Sequence, residues 1–388
     1  MSAERSPTVI VTSMARGQSE LQAQRDGTLP SLIDDARENP LVRIPSHGGD
    51  VLVKTPAFPY VAHHALVIPD LTSGEPTPDP VVVPNKLLSD TFHTAGEIAA
   101  HYLEDPSMQE VNIGWNHSRY ENKKHVATQQ KTLHVHVVGY THADLEHTVS
   151  AEEIQRRPEL KMKEHEPLAS VIHQILEHGV FGRLEQIPEF GELFSKVEDG
   201  DRVTYELRQG AETFNNLALA DLMKRVHTRS KISYDSLAEC FFTPNTEDPT
   251  TYEESEDGRY ELLPREERIS HMDTYLEEHD YLGVSEQRML KFLARNASSM
   301  DEIDDIRHMG LKGLAYATSF AGSKQDDGNV VWRFGIDPVA FAPRDVVQAS
   351  RGTFAHFERN GDGNLDSEQL AGMKVDEQKL KARLERSS

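Results

Sequence analysis

The stretch Lys131-Thr-Leu-His-Val-His-Val-Val-Gly-Tyr140 constrains the fold more than any other part of this chain. It is aliphatic and β-branched with a glycine closing it, the composition of a buried strand. Successive side chains of a strand point to opposite faces. His134 and His136 therefore project together, while Leu133, Val135 and Val137 pack on the other side. Two imidazoles on an apolar ribbon are costly unless hydrogen bonds, a metal or a ligand satisfies them. That cost is the first sign of chemistry.

With 388 residues the chain has room for two domains, each with a core. Its formal charge is -23, from 41 basic and 64 acidic residues. So acidic a surface argues against sequence-independent nucleic-acid binding, which needs clustered Lys and Arg to neutralise phosphates. A local basic pocket for one nucleotide remains compatible with it. The single cysteine, Cys240, lies in the apolar run Leu237–Phe242 and reads as a core filler, so no disulfide framework is available. No apolar run reaches membrane-spanning length, and the start of the chain lacks a charged-then-apolar signal segment. These features lead to the expectation of a soluble cytoplasmic protein.

Residues 1–35, rich in Ser, Arg, Gln and Thr, read as a flexible N-terminal arm. Leu41–Ile44 and Val51–Lys54 flank His47-Gly48-Gly49-Asp50 and suggest a hairpin. A third strand follows at His64–Pro69, and the proline-rich segment 70–85 reads as a loop. Ser89 is a candidate N-cap for a helix carrying Phe92, Ala95, Ala99 and Tyr102 at helical spacing. Val111–Trp115 is a fourth strand, and a polar, basic loop leads into the histidine strand. Antiparallel strands with a helix between them define an α+β layer.

Past residue 150 the texture becomes helical. Leu168, Val171, Ile172, Ile175 and Leu176 form an apolar stripe stopped by Gly179. Weaker helices are expected over 213–227 and 285–296, with strands at Val203–Leu207 and Val330–Phe334. Residues 244–280, dense in Glu and Asp, read as a solvated, partly disordered acidic insertion. No internal repeat is visible in the sequence.

The motifs of the first half resemble the histidine-triad (HIT) superfamily of nucleotide hydrolases and transferases. His64-Ala-Leu-Val-Ile-Pro69 is similar to that family's His-x-Leu-Val-Ile-Pro strand. Asn112-Ile-Gly-Trp-Asn116 looks like its strand ending in a nucleotide-contacting asparagine. His134-Val-His-Val-Val-Gly139 looks like the second half of His-φ-His-φ-His-φ-φ. The resemblance covers about residues 38–145. It implies a HIT-like antiparallel sheet with helices over 36–148, followed by a mainly helical domain over 149–388. It further implies that His134 attacks a nucleoside α-phosphate to give a covalent nucleotidyl-histidine, which water or an acceptor discharges. His136 would donate to the phosphate oxygens, and His64 would sit near the same phosphate. Asn116 would hold a phosphate or ribose group. Thr132 falls where the first triad histidine stands, and Gln129 lies near the place of a serine that donates to phosphate. Asp70 follows Pro69 where a lysine is common. Relatives with glutamine at one triad position act as transferases, so the implied activity is hydrolysis or transfer. Arg119, Lys123, Lys124 and His125 form a local basic run that could meet a polyphosphate.

Two other readings stand beside this one. The fold could bind a nucleotide without turnover, as an interaction protein with a degenerate site. Alternatively, His134 and His136 could ligate zinc with His125, His142 or His147 as a third ligand. Separately, residues 358–369 resemble an EF-hand loop, with Asn360, Asp362, Asn364 and Asp366 at ligand positions and Gly363 as the turn glycine. Glu358 and Gln369 stand at the first and twelfth positions, where Asp and a bidentate Glu are usual, so any Ca²⁺ binding would be weak. No cofactor is otherwise required. The expected partner is a nucleotide or nucleotide-conjugate substrate, without nucleic acid or membrane, and a homodimer through a sheet edge or helix is compatible with the fold.

Overall fold

The computed structural model describes residues 31–56, 59, 61–77, 79–117, 132–141, 185–199, 202–228, 240–243, 261–278, 284–298, 316–341, 348–350 and 367–387. It opens with helix α1 (Leu32–Glu38), then the hairpin β1 (Val42–Ser46) and β2 (Gly49–Lys54), and β3 (His63–Leu71). Helix α2 (Asn85–Leu103) precedes β4 (Met108–His117) and β5 (Val135–Thr141). The second half contributes α3 (Pro188–Leu193), β6 (Phe194–Asp199), β7 (Arg202–Leu207), a 3₁₀ turn (Gly210–Asn215) and α4 (Leu217–Thr228). Then come α5 (Arg265–Glu278), α6 (Val284–Asn296), β8 (Tyr316–Lys324), β9 (Val330–Phe341), β10 (Gln348–Ser350) and α7 (Ser367–Ser387).

The described strands form one antiparallel sheet in the order β1-β2-β3-β5-β4-β8-β9-β7-β6, with β10 added on β9. The α+β reading is borne out. The chain does not, however, leave the sheet behind after β5. Strand β8 lies beside β4 in continuous register, from Glu110 opposite Ser323 to His117 opposite Tyr316. The half expected to be mainly helical thus supplies half of the sheet. It also covers the outer edge of β4, where a second copy could otherwise have paired.

The strand order hides a repeat. In the first half a hairpin (β2–β3), a helix and a second pair (β4, β5) follow one another, with β5 inserted between β3 and β4. In the second half β6–β7, helical turns and the β8–β9 pair do the same, with β9 between β7 and β8. The two halves meet at the β4–β8 seam as if turned about an axis through the sheet.

One face carries most of the core. Phe92, Ala95, Ile98, Ala99 and Tyr102 of α2 pack with Val51, Val53, Ala65, Val67, Val111, Ile113, Val135 and Val137. Beyond the seam the same core continues through Phe320, Phe334, Tyr205 and Phe214. Gly96 lets the 3₁₀ turn sit close on α2, because a Cβ there would lie 3.0 Å from the Phe214 ring. The other face has a small satellite core, in which Ile33 and Ala36 of α1 cover Leu52, Leu66 and Ile68.

Several local expectations need correction. The arm expected to reach residue 35 gives way to α1 from Leu32, whose apolar face is short but buried. Helix α2 starts at Asn85 behind Pro84, four residues ahead of Ser89, which is buried inside it. Gly139 does not close the histidine strand, which runs to Thr141. A Cβ at Gly139 would lie 2.9 Å from the Met108 sulfur, so the glycine serves close packing. Within the acidic insertion, α5 is a packed helix and not a solvated one: Arg268, Met272, Tyr275 and Leu276 give it one buried stripe, which packs on α6. The β1–β2 hairpin and the strands at 203–207 and 330–334 appear where expected, and Cys240 is buried. The stripe at 168–176 and the EF-hand-like loop ligands Asn360, Asp362, Asn364 and Asp366 lie outside the described residues. Among the described residues no helix is long and apolar enough to cross a membrane.

Candidate functional site

Strand register decides which side chains meet. His136 pairs with Leu66 on β3 and Gly114 on β4. His64 pairs with Val138, which pairs in turn with Asn112. Paired residues share a face, so His64, His136 and Asn112 stand on the side opposite the main core. His134, just before β5, joins them: its ring centroid is 4.9 Å from that of His136. The expectation that both histidines of the strand project together is borne out.

His134 is held by a specific bond. Its Nδ1 lies 2.9 Å from the Thr132 carbonyl oxygen. A carbonyl only accepts, so Nδ1 carries the proton and Nε2 keeps its lone pair. Burial holds the His134 pKa below its ordinary value, partly opposed by the carbonyl bond, so the ring stays neutral at pH 7. The segment is tied in place from the other side by the Leu133 N–H, which donates to the Thr77 carbonyl at 2.6 Å. Thr132 therefore contributes through its backbone, while its side chain is buried.

The other two histidines form a buried pair. His64 Nε2 and His136 Nδ1 lie 3.0 Å apart, and the rings stack at 5.3 Å. Only one proton fits between those nitrogens, which couples the two tautomers. With His64 as donor, His136 accepts at Nδ1 and carries its own proton on Nε2, the state suited to an anion. Only 3% of His64 and 8% of His136 is exposed, so charge placed near them is weakly screened.

Other expected residues divide cleanly. Asn116 lies on β4, its backbone paired with Ala317. Arg119, Lys123 and Gln129 lie outside the described residues, as do His125, His142 and His147. Among the described residues no group of three or more His, Cys, Asp or Glu side chains is placed to hold a metal ion. Asp70, the residue after Pro69, has a structural task. It accepts from Arg37 of α1 at 3.0 Å (Nε) and 2.7 Å (Nη2) and lies 3.7 Å from Arg43 of β1. His63 faces the main core and packs edge-on against Tyr102 at 5.4 Å.

One residue of this face was not singled out from the sequence. Asn112 is 2% exposed, and its buried side-chain oxygen Oδ1 has no hydrogen-bond partner. The alternation Val111-Asn112-Ile113-Gly114-Trp115 already puts it on the polar side of β4. No known protein family, curated protein or solved structure matches this chain. Its chemistry has to be read from its own residues.

Proposed function

We propose that the chain is a HIT-like nucleotide hydrolase or nucleotidyltransferase acting at a nucleoside α-phosphate. The observation that carries the reading is the His134 Nδ1–Thr132 carbonyl bond, which fixes a neutral imidazole with its lone pair on Nε2. In this reading Nε2 attacks the α-phosphorus, the bond to the leaving group breaks, and a nucleotidyl-histidine forms. Water or a second acceptor then attacks the same phosphorus and returns the imidazole. The His64–His136 pair supplies the donor that steadies charge on the phosphate oxygens. Asn116, Arg119, Lys123 and Gln129 are proposed as further substrate contacts. The carbonyl of Thr132, rather than a third imidazole, orients the nucleophile.

The test is trapping with nucleotide labelled at the α-phosphate, on wild type, His134→Ala and His136→Ala. Label retained after an alkaline, denaturing quench, which spares the acid-labile N–P bond, should stay on wild type or on the His136 variant and be absent from the His134 variant. A non-catalytic binder would bind in all three and trap in none. Equal loss of stoichiometric zinc in both variants would instead favour the metal site.

A further inference from the structure

A buried carbonyl-type oxygen without a donor costs free energy that a protein ordinarily recovers from water or a neighbour. Asn112 Oδ1 is such an atom, and it sits beside the histidines rather than in the main core. It is one strand over from His136 and two residues along, about 8 Å away by the usual strand spacing and rise. Beside Val138 and Glu110, two of its neighbours on that face are small. Gly114 is its neighbour toward His136, and Ala321 lies opposite it on β8 and keeps some accessible surface. A group bonded to a phosphate at the histidines would reach Oδ1 by lying along β4 toward the β4–β8 seam, where the second half of the chain extends the floor.

We infer that Asn112 accepts a hydrogen bond from a sugar hydroxyl attached to the phosphate that the histidines hold. The assignment rests on the nucleotide reading above and names the group next to that phosphate. The chemistry follows from the atom. A phosphate near neutral pH presents acceptors and would face Oδ1 unfavourably, whereas a hydroxyl donates. The apolar neighbour Val138 and the small residues on either side offer no competing donor from their side chains. The hydroxyl belongs either to the nucleoside's own ribose or to a second sugar in the leaving group, and the probes below separate the two.

The full chain and Asn112→Leu are titrated with three probes. These are inorganic pyrophosphate, the tightest of the four common nucleoside 5′-monophosphates, and the matching nucleoside diphosphate-ribose. Pyrophosphate affinity should hold within about twofold, while at least one sugar-bearing probe weakens about tenfold or more. Loss already with the monophosphate places the hydroxyl on the nucleoside. Loss confined to the diphosphate-ribose places it on the second sugar. Equal weakening of pyrophosphate, or no weakening at all, overturns the assignment. Deoxy analogues of the same sugar on wild type supply a check that needs no variant: they should bind about tenfold more weakly. Wild type indifferent to every deoxy analogue overturns it even if Asn112→Leu does not fold. Nucleotide binding and His134 labelling without any such preference would defeat this inference alone. No binding of any nucleotide would defeat it together with the proposed function.

Discussion

Asp70 ties α1 to the sheet through Arg37, and replacing it tests how the histidine face is built. Arg37 donates twice to one Asp70 oxygen, and Arg43 stands 3.7 Å from the other. The pair is only partly desolvated, with 12% of the Asp70 side chain and 29% of Arg37 exposed. A charge-assisted bond in such a place is worth about 1.5 kcal/mol at most after solvent screening. Asp70→Asn keeps the acceptor and loses the charge, so it should cost about 1 kcal/mol. Asp70→Ala loses both bonds and should cost about 2 kcal/mol. Asp70→Lys sets a third cation beside Arg37 and Arg43 and should cost about 3 kcal/mol or more. Urea unfolding of the full chain measures the series, and amide exchange in Leu32–Glu38 reports whether α1 detaches first. Added salt should narrow the gap between wild type and Asp70→Asn. Asp70→Lys as stable as wild type would refute the reasoning. It would mean that the apolar contacts of Ile33 and Ala36 hold α1 unaided.

Two further perturbations follow from the same geometry. Burial depresses the His134 pKa, so its neutral form should persist to pH values below the ordinary imidazole range. Adduct formation should therefore keep its rate as pH falls through 6.5, the ordinary imidazole value, and decline only further down. The same shift makes protonation destabilising: its stability contribution is present above the unfolded pKa and is lost as pH falls through the lower folded one. A rate that instead halves near the ordinary imidazole value would sink the burial argument. On β8, just across the seam, a Cβ on Gly322 would lie 2.8–2.9 Å from carbons of the Trp332 ring, which packs edge-on against Phe214. Gly322→Val should lower stability by about 1–3 kcal/mol in a urea titration. An unchanged midpoint would show that Trp332 is free to move.

What could be read from the sequence was local and periodic. The His47–Asp50 turn, the strands around His64 and His136 and the stripe of Phe92, Ala95, Ala99 and Tyr102 all declare themselves within a few residues. Signals failed where burial is narrow or residues are small. Helix α5 shows one buried residue per turn amid Glu and Arg, so its composition resembles a solvated segment. Strand β8, Tyr-Ala-Thr-Ser-Phe-Ala-Gly-Ser-Lys, lacks the β-branched run expected of a central strand. It is central because β9 follows it as a hairpin and β4, some two hundred residues earlier in the chain, pairs with its other edge. For Asn112 the signal was present: it shares the polar side of β4 with position 116, yet the resemblance drew attention to the latter alone.

The repeated strand order gives the histidine strand a counterpart in the second half. The strands β5 and β9 hold equivalent places, each inserted between the hairpin before it and its own antiparallel partner. Antiparallel pairing across the seam points them in opposite directions, so their starts lie at opposite ends of the sheet. Around the start of β5 stand His134 and His136; at the start of β9 stand Val330, Val331 and Trp332. Trp332 turns into the core against Gly322, filling space with a ring. The second half thus keeps the architecture and not the imidazoles. Its remaining bearing on the site is through the seam: β8 satisfies the backbone of β4, fixes the strand that carries Asn112, and extends the face on which the histidines stand. Any change that loosened β8 from β4 would therefore be felt at Asn112 before it reached His134, which the Thr132 and Thr77 carbonyls hold from the first half alone.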